Sequence, residues 1–124
     1  MSEHDTQSAF MNYVHYREAT IPELRWLHAV PNGGARNAVT GARMKAEGTR
    51  KGIYDLFWPF PRGEFKGLYL EFKHGRNKLT PEQEEFGEFV RQHGYKTGVA
   101  YTVDEGIEIL EDYLGKEVRD VNKC

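Results

Sequence analysis

The chain has 124 residues, enough for one compact domain, and its 17 Lys and Arg against 19 Asp and Glu leave a formal charge of −2. At 39% hydrophobic and 13% aromatic it can build a core and is not a disordered chain. The single Cys124 excludes a disulfide framework and a Cys-based zinc site. No apolar run approaches the ~20 residues of a membrane span and the polar N-terminus does not resemble a signal peptide, so a cytoplasmic protein is expected.

Phe10, Met11 and Val14 recur at helical spacing between Ser2, an N-cap residue type, and about Arg17. Leu24 to Val30, an apolar run in which Trp26 and His28 alternate, reads as a strand stopped by the turn Pro31-Asn32-Gly33-Gly34. Asn37 to Glu47 patterns weakly as a short helix, and Gly48 and Gly52 bracket a basic loop. Ile53 to Trp58 is aromatic and β-branched, and Pro59-Phe60-Pro61-Arg62-Gly63 must break it. Gly67 to Lys73 alternates and follows closely enough to make an antiparallel hairpin with it.

Thr80-Pro81-Glu82-Gln83 is a helix start, with Thr as cap, Pro at the first helical position and Gln three residues after the cap. That helix is expected to carry Phe86, Phe89 and Val90 inward and to end at Gly94. Tyr95 to Tyr101 reads as another strand. Thr102 with Glu105 forms a second capping box, opening a helix through Ile107, Ile109, Leu110, Tyr113 and Leu114 that Gly115 terminates. The tail after Lys116 is polar. This order implies an α/β fold, a mixed sheet with helices on its faces.

Charges inside the strands carry the chemistry. In Gly67 to Lys73, Leu68, Leu70 and Phe72 share one face, the core, while Tyr69, Glu71 and Lys73 share the other. Asp55 stands among Ile53, Tyr54, Leu56, Phe57 and Trp58, where strand propensity disfavours an acid and burial without a partner is costly. If the hairpin brings Asp55 beside Glu71, one carboxylate titrates upward unless a cation lies between them. A hard divalent ion, Mg²⁺ or Mn²⁺, suits such an oxygen donor set, and Lys73 is close enough to orient water or face a phosphate. An ordinary cross-strand ion pair on a solvated face is the plain alternative.

The surrounding residues resemble a known family. Gly48-Thr49-Arg50-Lys51-Gly52-Ile53-Tyr54-Asp55-Leu56, then Leu70-Glu71-Phe72-Lys73, then Lys78-Leu79-Thr80-Pro81-Glu82-Gln83 are similar to the VRR-NUC family of the PD-(D/E)XK nuclease superfamily. Glu3 and Gln7 resemble its first-helix acid and glutamine, and the likeness runs from about Glu3 to Leu114. Tyr54 stands where that family often has proline. The resemblance implies a restriction-endonuclease-like mixed central sheet flanked by helices. It also implies that Asp55, Glu71, the Phe72 carbonyl and Glu3 ligate metal, that Lys73 is the catalytic lysine, and that Gln83 reaches back to the site. Lys78 falls where the family carries a phosphate-contacting base. Stand-alone members, typical of bacterial viruses, resemble Holliday-junction resolvases that act as homodimers on branched DNA.

Between Ala35 and Lys51, Arg36, Arg43, Lys45, Arg50 and Lys51 outnumber Glu47, a local +4 beside an acidic pair, as a nuclease needs. No histidine spacing suits zinc, and no Gly-x-Ser-x-Gly elbow or Cys nucleophile supports acyl transfer. A metal-dependent endonuclease of junction-resolving type is expected. A nuclease for flaps, nicks or duplex, and a non-cutting branched-DNA module, are the alternatives.

Overall fold

A computed structural model describes residues 2–31 and 38–116. Helix α1 (Glu3–Arg17) starts where Ser2 Oγ accepts the Asp5 N–H at 3.2 Å and Asp5 Oδ2 accepts the Ser2 N–H at 3.3 Å, a reciprocal cap. Phe10 and Val14 are buried along its inner face. At its end Arg17 pairs with Glu111 at 2.9 Å and Tyr13 Oη donates to the same carboxylate at 2.7 Å, which fastens α1 to the last helix.

The expected strand from Leu24 is a 3-10 helix, Pro22–Trp26, and only His28–Ala29 forms strand β1. Pro22 at the first position presets helical φ, and Leu24 alone of the turn faces the core. Trp26 is consequently 60% exposed, with the Arg25 guanidinium 4.8 Å from its ring centre. The Asn32-Gly33-Gly34 turn, Arg36 and the tail beyond Lys116 lie outside the described residues.

Helix α2 (Ala38–Ala46) and strands β2 (Leu56–Trp58) and β3 (Leu68–Phe72) follow, then α3 (Pro81–Gln92), β4 (Lys96–Ala100) and α4 (Val103–Leu114). The sheet order is β1-β2-β3-β4, antiparallel across the first two pairs and parallel across the last. The β2–β3 register sets Leu56 opposite Leu70 and Trp58 opposite Leu68, so one sheet face is apolar throughout. Phe10 and Val14 of α1 and Leu110 and Tyr113 of α4 close over that face. Trp58 is fully buried there and its indole N–H donates to the Glu23 carbonyl at 2.9 Å, tying the 3-10 turn to β2.

Helix α3 lies on the opposite face. Phe86 meets the Tyr69 ring edge-on at 5.1 Å, and Arg91 donates to Thr97 Oγ1 at 2.9 Å. Phe89, expected inward, is 58% exposed: Phe86, Gly87 and Val90 make the contact face and Phe89 projects to its side, its ring tilted against that of His93 with centres 4.4 Å apart. The second capping box is half made. Thr102 Oγ1 accepts the Glu105 N–H, but Glu105 Oε1 reaches past the cap to the Tyr101 N–H at 2.8 Å. The architecture is the expected mixed α/β sheet flanked by helices. No helix among the described residues is long and apolar enough to cross a membrane.

Candidate active site

Asp55 occupies a bend one residue before β2, so regular pairing ends beside it and its backbone serves two neighbours. Its carbonyl accepts the Val30 N–H at 2.8 Å, and its own N–H donates to Glu71 Oε1 at 3.0 Å. Across the hairpin the Phe72 N–H donates to Asp55 Oδ2 at 2.8 Å. Each acid is therefore held by a backbone amide of the segment carrying the other, and the register extrapolated from Leu56 opposite Leu70 puts them side by side. In a strand a residue's N–H and C=O leave by the same edge, so the Phe72 carbonyl also faces the Asp55 side.

Two cationic or amide groups complete the cluster. Lys73 Nζ lies 3.6 Å from Glu71 Oε2, and the two side chains are only 10% and 4% exposed. The Lys73 backbone is anchored by its N–H on the Ala100 carbonyl, 2.9 Å away. Gln83 joins from α3: its Oε1 accepts the Thr80 N–H at 3.0 Å as part of the helix cap, which turns its Nε2 toward Glu71 Oε2 at 2.9 Å. One side chain thus caps the helix and ties it to the acid pair.

Glu71 is the strained member. It is 3% exposed, and the solvated sheet face of the plain alternative does not exist at this position because α3 covers it. Burial, then the charge of Asp55, pushes its carboxyl up to about 8, against the opposing pull of Lys73 and of the Asp55 N–H. The ionised Glu71 is therefore short of positive charge.

Other expected residues spread outward. Lys78 is exposed on the β3–α3 loop, Arg43 and Lys45 are exposed on the last turn of α2, and Arg50 and Lys51 are exposed in the loop beyond it. Lys51 lines a shallow cavity of about 330 Å³ with Glu82, Glu85, Phe86 and Phe89. Glu3 is exposed on the first turn of α1, and no set of three His, Cys, Asp or Glu side chains converges among the described residues. The structure thus brings Asp55, Glu71, Lys73 and Gln83 together and does not bring Glu3 to them.

Two glycines carry this geometry without standing out in the sequence as site residues. Gly52 has φ +89°, and a Cβ there would lie 2.6 Å from the Glu82 carbonyl oxygen, so the loop before Asp55 touches the first turn of α3. Gly87 is a glycine inside a helix, itself a signal of close approach, and it meets Tyr54.

The fold and site define a mixed α/β domain with paired acids and a lysine at the end of its central hairpin. Among solved structures the chain is similar to one described as a VRR_NUC domain protein, with a TM-score of 0.79 and 27% sequence identity over 97% of this chain and 93% of that one. That likeness supports a VRR-NUC domain here. No protein-family model matches the sequence, and no curated protein does.

Proposed function

We propose that the chain is a metal-dependent DNA endonuclease, a stand-alone, viral-type VRR-NUC nuclease of the PD-(D/E)XK superfamily that acts in the cytoplasm as a homodimer on Holliday junctions. The observation that carries this reading is the acid pair: Asp55 and Glu71 joined through each other's backbone amides, with Lys73 Nζ 3.6 Å from Glu71. The VRR_NUC likeness of the whole chain agrees with it.

The donor set fits Mg²⁺ or Mn²⁺. Both side chains are hard oxygen donors, and the buried Glu71 lacks a full counter-charge. Asp55, Glu71 and the Phe72 carbonyl would hold the ion, with water and phosphate oxygens filling its shell. When bound, such an ion acidifies water and polarises the phosphate. Gln83 fixes Glu71 Oε2, leaving the carboxylate one orientation. Lys73, its backbone held on β4, would orient the attacking water or donate an Nζ–H hydrogen bond to a phosphate oxygen as negative charge develops there. Arg43, Lys45, Arg50, Lys51 and Lys78 supply backbone contacts to DNA. A four-way junction needs two symmetric cuts, and a second copy supplies the second site.

A labelled four-way junction, a flap and a linear duplex, each in Mg²⁺, Mn²⁺ or EDTA, test this with wild type and Lys73→Ala. Junction cutting that vanishes in EDTA and in the variant is expected, with a dimer by sedimentation at micromolar protein. Tight binding without cutting in either metal would make the chain a binding module. Equal cutting of all three substrates, or a persistent monomer, would remove the resolvase assignment and leave a nuclease of other specificity.

A further inference from the structure

The Gln83–Glu71 hydrogen bond closes only if α3 stands at one height above β3. Gln83, Phe86 and Gly87 are three and four positions apart, so they share one face of the helix. That face rests on Tyr54. The Tyr54 side chain is fully buried, with its ring centre 5.7 Å from Phe86 above and 6.5 Å from Tyr69 below. Tyr69 lies two residues before Glu71 on the same face of β3. The ring therefore fills the gap between helix and strand beside the acid pair, one residue from Asp55.

The tip of the ring is matched to the helix. A Cβ placed on Gly87 would lie 2.5 Å from Tyr54 Oη and 2.9 Å from Arg91 Nη1, so only glycine admits the hydroxyl there. Tyr54 Oη is buried without a well-formed hydrogen bond among the described residues. Burial pushes its pKa up, and the neighbouring Arg91 guanidinium offsets only part of that. A buried hydroxyl that gains no good hydrogen bond carries a desolvation cost that is not fully returned. Its contribution here is length.

We infer that Tyr54 is a positioning residue: a spacer, seated against Gly87, that sets the separation of α3 from β3 and so holds Gln83 Nε2 on Glu71 Oε2. Its kinetic consequence rests on the nuclease reading; its structural consequence does not. The contact explains why this chain carries a bulky aromatic next to Asp55.

A reciprocal size exchange tests the spacer. Wild type, Gly87→Ala, Tyr54→Phe and the double variant are compared by kcat and KM on the DNA that wild type cuts in Mg²⁺, at a temperature where all are folded. The side-chain amide resonances of Gln83 are followed by NMR in metal-free protein. Gly87→Ala is expected to lower kcat about tenfold or more with KM within about twofold, since ångström displacements of positioned groups cost rates on that scale. It also shifts the Gln83 amide pair. Tyr54→Phe costs up to about threefold, and the double variant returns to within about threefold of wild type because the methyl introduced by Gly87→Ala takes the space of the lost hydroxyl. In a Gln83→Ala background, Gly87→Ala is expected to add less than about twofold, because the two act through one contact. A general loss of structure would not give that non-additivity.

Wild-type kcat in Gly87→Ala, full additivity with Gln83→Ala, or no recovery in the double variant would overturn the spacer. If wild type cuts no DNA the nuclease reading falls, and the Gln83 resonances decide alone: a shift in Gly87→Ala restored in the double variant supports the spacer, and an unmoved pair overturns it. Should Gly87→Ala fail to fold, Tyr54→Leu removes the spacer without a clash and is expected to displace the Gln83 resonances; if it leaves them in place, the inference is wrong.

Discussion

Metal-free protein should lose stability as pH rises, and Glu71 should be the cause. Its carboxyl has an ordinary value of 4.5 and is pushed up to about 8 in the fold by burial and by Asp55. Between those values the folded state holds a proton that the unfolded state has released. Stability therefore falls with increasing pH across that window, is fully retained below it, and levels off above it. Each unit is worth about 1.4 kcal/mol, so the ceiling across the window is roughly 4–5 kcal/mol. For a domain of this size that corresponds to a melting temperature lower by roughly 10 °C or more. The assay is thermal melting in EDTA at several values between pH 5 and pH 8, for wild type and Glu71→Gln. The variant loses one acceptor and melts lower at pH 5, but its curve should be flat where that of wild type declines. Added Mg²⁺ should raise the wild-type melting temperature more at pH 8 than at pH 5, since it stabilises the ionised pair by mass action. A flat wild-type profile, or the same decline in Glu71→Gln, refutes the claim that Glu71 is buried short of charge.

Lys73→Ala removes the cation 3.6 Å from Glu71, so the metal-free decline should extend to higher pH, and cleavage should fall by a factor of about 10² or more; an unmoved upper limit would separate Lys73 from the pair. Gly52→Ala forces φ +89° on an L side chain and drives a methyl against the Glu82 carbonyl, and a loss of more than about 1 kcal/mol is expected in urea unfolding. Wild-type stability there would show that the loop does not touch α3 in solution. Arg50→Ala and Lys51→Ala should each lower DNA affinity and reduce the slope of log affinity against log salt by about one; an unchanged slope removes that loop from the DNA path.

The helix starts and the hairpin were legible because local chemistry decides them. Ser2 and Thr80 cap through their own hydroxyls, and the alternation Leu68, Leu70, Phe72 fixed which face of β3 enters the core. What the residues could not reveal depends on tertiary cover. Leu24 to Trp26 looks like a strand until Pro22 sets the backbone and β2 offers no partner there. Phe89 and Phe86 are equally apolar, and only the packing of α3 against Tyr54 and Tyr69 decides which is inside. The same cover turns Glu71 from a residue of an open sheet face into a buried acid. Asp55, Glu71, Lys73 and Gln83 were legible as a constellation, whereas the position of Glu3 depended on where α1 begins relative to the sheet.

The two faces of the sheet divide the work. Against α1 and α4, buried polar atoms such as Trp58 Nε1 and Tyr113 Oη have carbonyl partners at 2.9 and 2.6 Å, and apolar side chains fill the rest. Against α3 lie the acid with a raised carboxyl pKa and the hydroxyl without a well-formed hydrogen bond, within two consecutive stretches of chain. On the α4 side Arg62 Nε is also buried without a hydrogen bond among the described residues, while its Nη2 reaches the Leu114 carbonyl. Local choices that oppose stability nonetheless gather around the acid pair, as a site imposes on a fold. The consequence can be separated experimentally. Truncating Leu110 in the α1–α4 core should lower stability by about 2–5 kcal/mol at every pH and leave the slope intact, while changes at Glu71 alter the slope itself. If the core variant changed the slope as well, the two faces would be coupled, and the position of α3 would depend on the core rather than on Tyr54 and Gly52.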